Sequence, residues 1–199
     1  MIPRQLVIAT GVLLAATLVL SFYAWRMRKT VASTAPVARD TRPLVPLAVG
    51  PTETVTLFVA HDDDGTLRAV AAKIPLASGR QQRAEELLQA LVAIYLDKNS
   101  PHVLGAGADV RSVFLVDPGV AVIDLNSEFA NTHRSGVLVE ELTVASLIHT
   151  VSVNTPGLLK VKILVDGKDR DTLAGHADLS DFFDVTGMNQ VAVQLTSGQ

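Results

Sequence analysis

The residues that could carry out chemistry in this chain are five histidines, several carboxylates and a few serines. No two histidines stand in an H-x-x-x-H or H-E-x-x-H spacing, the pattern that places two zinc ligands on one helix face. The chain has no cysteine, so thiolate ligands and thiol nucleophiles are excluded as well. The sequence therefore predicts no metal site and no cofactor site. The histidines are His61, His102, His133, His149 and His176.

The serines and glutamates do not form a recognisable catalytic arrangement. Ser135 and Ser146 lie outside any G-x-S-x-G turn, which exposes the nucleophile of many hydrolases. Three glutamates, Glu128, Glu140 and Glu141, are candidate acids, but no spacing marks a catalytic pair. The last two open a predicted helix, where carboxylates interact favourably with the helix dipole.

Two histidines have a predicted structural role. His149 stands inside a predicted helix, and a single helical histidine is most often a partly buried structural residue. His176 lies in the segment Gly175–Leu179, where Asp178 can hydrogen-bond nearby backbone or an imidazole. We therefore expect this segment to lock a turn after the last strand.

The acidic segment Asp62–Gly65 has two interpretations. A calcium loop of the EF-hand type needs alternating oxygen ligands between two helices. Here the acids are consecutive, they stand between two β-rich runs, and Asp64-Gly65 is a strong hairpin signal. The sequence favours a solvated hairpin turn.

Composition excludes some classes of function. The 199 residues carry a formal net charge of −3, and the only basic cluster follows the apolar N-terminal stretch. No basic stripe or aromatic–basic platform is present, so we expect no nucleic-acid binding.

The strongest single feature is the uncharged stretch from Leu6 to Trp25, which Arg26, Arg28 and Lys29 follow. Twenty helical residues span about 30 Å, the thickness of the hydrocarbon core of a bilayer. A cleaved signal is the first alternative, but its apolar run is usually shorter and no good Ala-x-Ala site follows. A buried soluble helix is the second alternative. The sequence favours an uncleaved single-pass anchor.

The orientation of this anchor stays open on charge alone. Arg4 and the terminal amine precede it, whereas three basic residues follow it, which slightly favours a cytoplasmic C-terminal domain. A short N-terminal flank before a globular domain is, however, also the usual layout of an exported, anchored protein.

Composition shifts divide the chain into four parts. Residues 1–29 are the predicted anchor, and residues 30–54 are a Pro-rich linker that cannot form a helix. Residues 55–180 are the predicted globular domain, and residues 181–199 are a C-terminal tail. Val191–Leu195 in that tail is expected either to add an edge strand or to stay loose.

The globular part is predicted to have the element order β-β-α-β-β-α-β, an α+β fold of two layers with both helices on one face of a sheet. Its first helix begins near a capping box at Ser78 and Gln81 and has an apolar face through Tyr95. Ser127–Gly136 is predicted to be a polar loop, and Val120–Leu125 reads as a strand buried on both faces. The predicted strands and helices are Val55–Ala60, Leu67–Ile74, Ala84–Tyr95, Val110–Val116, Val120–Leu125, Val137–Val153 and Leu159–Val165.

Four segments of the chain resemble the GerMN domain family of sporulation and germination proteins. They are VTLFVAHDDDGTL from Val55, VAVIDLNSEFA from Val120, VLVEELTVASLIHTV from Val137 and LKVKILVDGKDRDTLAGHADLS from Leu159. The resemblance implies a membrane-tethered domain that faces outward from the cell membrane, with a scaffolding role and no established catalytic residues. Many members carry a lipidated cysteine; here the apolar N-terminal stretch would replace it.

Two classes of function remain on the sequence. The first is a non-catalytic envelope module that docks a protein partner or peptidoglycan, with a partner-binding surface near Phe129, His133 and His176. The second is a cell-wall or glycan-acting enzyme that uses an acid such as Glu128 or Asp178. The lack of paired catalytic groups favours the module. A homo-oligomer is compatible with either.

Overall fold

The structure is a computed structural model that describes Thr17, residues 50–116 and residues 118–197. All of these except Thr17 belong to one compact unit, Ala48–Gln199. The expected anchor and its linker up to residue 49 lie outside the described residues, apart from Thr17.

The chain first forms a two-stranded antiparallel sheet, with β1 at Thr52–His61 and β2 at Thr66–Pro75. The expected hairpin turn lies between them, and Gly65 takes a φ of +66°, a conformation that glycine adopts without strain. The Asp64 carboxylate accepts a hydrogen bond from the Thr66 backbone N–H at 3.2 Å. The turn uses this acid to fix its own backbone, as a hairpin turn does.

Helix α1 spans Arg80–Tyr95 and buries the face that the apolar spacing predicts. Its expected capping box is wrong by one residue. Gly79 is the N-cap without a side-chain bond, and the Ser78 hydroxyl donates to Oε1 of Gln82 at 2.8 Å, not to Gln81.

A second sheet has four strands, β3 at Val110–Val116, β4 at Val120–Leu125, β5 at Lys160–Val165 and β6 at Phe183–Asp184, and they lie in this order. Strands β3 and β4 form an antiparallel hairpin, β5 joins β4 in parallel, and β6 is a short antiparallel edge. The α+β class and the seven expected elements are confirmed, but the expected single sheet is wrong.

The two sheets are separate because a helix occupies the edge at which they would join. Helix α2 spans Ser127–Asn131 and α3 spans Val137–Asn154. Three polar side chains of α3 hydrogen-bond the outward backbone groups of β1 at 2.7–3.0 Å. Ser146 donates to the Phe58 carbonyl, Thr150 accepts from the Phe58 N–H, and Asn154 donates to the Thr56 carbonyl. This edge of β1 is therefore unavailable to another strand.

The last element of the described residues is helix α4, Val185–Ser197, where the sequence predicts either an edge strand or a loose tail. Asn189 of α4 accepts hydrogen bonds from the side chains of His149 at 2.7 Å and Ser152 at 3.0 Å, both on α3. His149 is buried, as expected of a structural histidine.

Within the described residues, α3 is the one helix long and apolar enough to cross a membrane by length and composition, and 61% of it is buried inside the domain. A core helix passes the same test, and α3 is the helix around which the core is built.

Candidate functional site

The carboxylate of Glu140 is the most heavily hydrogen-bonded acid among the described residues, and it is fully buried on the first turn of α3. Its Oε2 accepts the backbone N–H groups of Ala174, His176 and Ala177, each at 2.9 Å. Its Oε1 accepts the N–H of Gly136 at 3.1 Å and contacts Nδ1 of His176 at 2.9 Å. We call this arrangement the Glu140 lock, since it fixes the segment Ala174–Ala177 onto α3.

The lock keeps Glu140 ionised. Burial raises the pKa of this carboxyl, but the hydrogen bonds from the His176 imidazole and from the three backbone N–H groups outweigh burial and lower the pKa to about 2. A carboxylate held in this way is not a general acid near neutral pH, because it has no proton to give.

Ser135, His176 and Glu140 lie together but do not form a catalytic triad. The Ser135 hydroxyl lies 3.3 Å from Nδ1 of His176, the same nitrogen that contacts Glu140. In a triad the serine and the acid contact opposite nitrogens of the imidazole, so that the ring can carry a proton between them. The geometry therefore supports the expected turn lock and gives no activated nucleophile.

The sequence leaves open whether the Asp178 side chain hydrogen-bonds nearby backbone or an imidazole. In the structure it hydrogen-bonds backbone. Its Oδ1 accepts the backbone N–H of Ser180 at 2.8 Å and the Ser180 hydroxyl at 2.6 Å. These two hydrogen bonds lower the pKa of the Asp178 carboxyl. Asp178 and Glu128, the two acids named for an enzyme, are both exposed.

Phe129 and His133 do not belong to an accessible surface, so the expectation that they form a partner-binding face needs correction. Phe129 is fully buried and His133 nearly so, because the expected loop Ser127–Gly136 begins as helix α2 and folds into the core. Of the three proposed contact residues, only His176 is exposed, with 42% of its side chain accessible.

His133 belongs to a buried chain of polar side chains. Its Nε2 and that of His102 contact the Thr143 hydroxyl at 2.7 and 2.8 Å, and Nδ1 of His102 contacts Asp62 at 2.7 Å. Burial lowers the pKa of both imidazoles, against the opposing effects of Asp62 on His102 and of the Arg134 carbonyl on His133. These contacts tie α3 to the hairpin turn, and both imidazoles are buried, so they serve the fold.

A groove lies beside the Glu140 lock, between α3 and α4, with a volume of about 430 Å³. Its apolar lining comes from Val144, Phe183, Met188 and Val191. Its charged lining residues are Glu141 and Asp178, and the exposed part of His176 completes the rim. We call it the His176 groove. It is a concave, mainly apolar surface with an acidic rim, which suits the docking of a polypeptide segment.

The described residues contain no group of three or more His, Cys, Asp or Glu side chains that could hold a metal ion. Every buried side-chain nitrogen and oxygen in the same part of the chain has a hydrogen-bond partner. The buried polar groups of this part of the chain are thus engaged in structural hydrogen bonds, so the groove is the candidate site.

Fold and site together define an α+β domain with a locked loop and an open groove. The chain belongs to the Germane family, described as sporulation and spore germination, whose model matches residues 56–171. The match ends before the Ala174–Ala177 segment and α4, so two of the walls of the His176 groove lie beyond it. No curated protein matches this chain.

Solved structures are similar in fold. The tandem GerMN domains of the sporulation protein GerM from Bacillus subtilis share 24% identity at a TM-score of 0.51, and the match covers 67% of this chain and 46% of that one. The first GerMN domain of the same protein shares 23% identity at a TM-score of 0.48, and the match covers 66% of this chain and 97% of that one. A Clostridium perfringens protein described as a lipoprotein shares 22% identity at a TM-score of 0.44, and the match covers 69% of this chain and 89% of that one.

Proposed function

We propose that this chain is a non-catalytic binding module of the bacterial cell envelope, which docks a protein partner in the His176 groove. The observation that carries the proposal is the pairing of the groove with the Glu140 lock. The acid and the histidine that could do chemistry there hold the loop in place, which leaves an apolar surface beside them. A sporulation- or germination-related role is the one that its family suggests.

The lining of the groove indicates the chemistry of the partner. Glu141 and Asp178 are its acidic lining residues, so the complementary segment carries a basic side chain. Met188 and Val191 form apolar lining, which an aliphatic or aromatic side chain of that segment would cover. Polar glycan strands complement such a surface less well, and this favours a protein partner over peptidoglycan.

We also propose that Leu6–Trp25 anchors the module as a single-pass helix, with the domain outside the cell membrane. The support is the length and apolarity of this stretch and the layout of the family, in which a membrane tether precedes the domain. The Pro-rich residues 30–49 would then act as a spacer between the membrane and the domain.

Site-specific photo-crosslinking in intact cells tests this function. A photo-reactive residue in place of Val191, at the groove, should capture an extracytoplasmic protein, and one in place of the exposed Ala93 on α1 should not. Recovery of cytosolic proteins alone would overturn the orientation. Groove-dependent sedimentation with purified peptidoglycan, without a captured protein, would assign the groove to the glycan; turnover of peptidoglycan would support the enzyme instead.

A further inference from the structure

Strand β2 directs a row of backbone groups away from its partner strand β1. The register sets Ala69 of β2 opposite Phe58 of β1, and Ala71 opposite Thr56. Both β1 residues turn backbone groups outward to side chains of α3, so neither can hydrogen-bond its opposite residue. The N–H and C=O groups of Ala69 and Ala71 therefore point to the far edge of the hairpin. By alternation, the residues that point this way are Leu67, Ala69, Ala71 and Lys73, and we call them the β2 edge.

The β2 edge has no hydrogen-bond partner in the described part of the chain. The other two long edges do have partners. Side chains of α3 occupy the edge of β1, and at the edge of β3 the carboxylate of Glu85 on α1 accepts the backbone N–H of Val113 at 3.1 Å. Residues 68–71 in the middle of β2 are all exposed. An open row of alternating N–H and C=O groups is complementary to the backbone of another extended chain.

The side chains along β2 indicate the chemistry of the segment that fits there. Val70 is 38% accessible and lies on the same face of the hairpin as Leu57, which is fully buried. An aliphatic side chain beside Val70 would extend this apolar face. Lys73 lies on the other face, is exposed and makes no ion pair with a described residue, whereas Arg68 is paired with Asp64. Lys73 is therefore the cation that an incoming acid can neutralise.

We propose that the β2 edge binds an extended segment of a protein partner, which adds a third strand to the first sheet. This segment carries an aliphatic residue beside Val70 and an acid beside Lys73, three positions apart, because side chains of a strand alternate between the two faces. A second copy of the chain is a poorer occupant, since its own β2, Thr66–Pro75, contains no acid to set beside Lys73.

Amide hydrogen exchange, followed by NMR on the full chain in detergent micelles, tests this proposal. The probe is the synthetic peptide Thr-Val-Thr-Val-Thr-Thr-Glu-Thr, in which the second valine and the glutamate have the required spacing. At saturation it should slow exchange of the Ala69 and Ala71 amides about tenfold or more. It should leave the amide of Val70 unchanged, because this group already faces Leu57 within the hairpin. A peptide with lysine in place of the glutamate should bind several-fold more weakly.

Two outcomes of this measurement would overturn the proposal. The first is unchanged exchange of the Ala69 and Ala71 amides at millimolar concentrations of the peptide. The second is an equal slowing in the chain alone as its own concentration rises, which would assign the β2 edge to a second copy.

A proline substitution separates strand addition from other modes of binding. Ala71→Pro removes one outward donor and places a ring in the path of the incoming strand, while the hydrogen bonds between β1 and β2 remain. It should weaken binding of the peptide about tenfold or more. Ala71→Thr keeps the N–H group and is the matched control, with an affinity within about twofold of the unsubstituted chain. Unfolding midpoints close to that of the unsubstituted chain show that both variants fold.

Equal affinities of Ala71→Pro and Ala71→Thr for the peptide would contradict strand addition. The β2 edge and the His176 groove share no residue, so either proposal can fail alone.

Discussion

The Oε1 atom of Glu140 lies 2.9 Å from Nδ1 of His176, which follows it by 36 residues, and the same carboxylate accepts three backbone N–H groups of the loop that carries this histidine. One buried acid at the start of α3 therefore fixes the wall of the groove that we propose as the docking site.

Glu140→Gln should destabilise the domain by about 3 kcal/mol, because it replaces a buried anionic acceptor of several hydrogen bonds with a neutral amide whose NH₂ faces N–H donors. Chemical denaturation measures the change. Glu141→Gln is the matched control: Glu141 is the next residue but is exposed, so its free energy of unfolding should change by less than about 0.5 kcal/mol. A similar small change in both variants would show that the lock does not stabilise the domain.

The lock also predicts a dependence of stability on pH. The pKa of Glu140 falls from its ordinary 4.5 to about 2 in the folded chain, so the unfolded chain takes up a proton first as the pH falls. The stabilisation is fully present above pH 4.5 and is lost between pH 4.5 and 2; in all it amounts to about 3 kcal/mol. Over that window the difference in unfolding free energy between the unsubstituted chain and Glu140→Gln should shrink. A constant difference would contradict the lowered pKa.

Phe129→Ala should weaken the fold itself, by about 3 to 5 kcal/mol, because it leaves a cavity in the core where the ring of Phe129 is fully buried. The exposed Phe182 provides the control, and Phe182→Ala should change the unfolding free energy by less than about 0.5 kcal/mol. If Phe129→Ala unfolded at the same denaturant concentration as the unsubstituted chain, Phe129 would belong to a surface, as the sequence first indicated.

The buried histidines predict a second loss of stability, which begins as the pH falls below 6.5 and so precedes the loss caused by Glu140. Burial lowers the pKa of both His102 and His133 from the ordinary 6.5, so the unfolded chain binds protons there first. Stability is fully present above pH 6.5 and falls as the pH drops below it. Imidazole chemical shifts, measured by NMR across this range, should show both residues titrating below pH 6.5; titration at or above pH 6.5 would contradict the effect of burial.

The sequence predicts those helices and turns whose signals lie within a few neighbouring residues. The apolar spacing from Ala84 to Tyr95 is the buried face of α1, and Asp64-Gly65 is the hairpin turn. Helix α4 was missed although Met188, Ala192 and Leu195 have helical spacing, because a short apolar run near a terminus reads equally well as a strand.

The candidate site depends on contacts that are distant in the chain, and these the sequence did not predict. The sequence shows Glu140 only as a carboxylate at a helix start, since its partners in the Ala174–Ala177 segment come 34 to 37 residues later. His133 read as a residue of a polar loop, but its partner Thr143 and the neighbouring His102 bury it. Likewise, nothing local shows that α3 side chains occupy the edge of β1 and so divide the strands into two sheets.

We propose that the His176 groove binds a protein partner without catalysis. The most direct measurement is the affinity of the purified full chain for the protein captured through Val191. Glu141→Lys reverses a rim charge at an exposed residue and should weaken that affinity about tenfold or more, whereas Glu86→Lys on α1, outside the groove, should not. Equal affinities for the two variants and the unsubstituted chain would contradict the account.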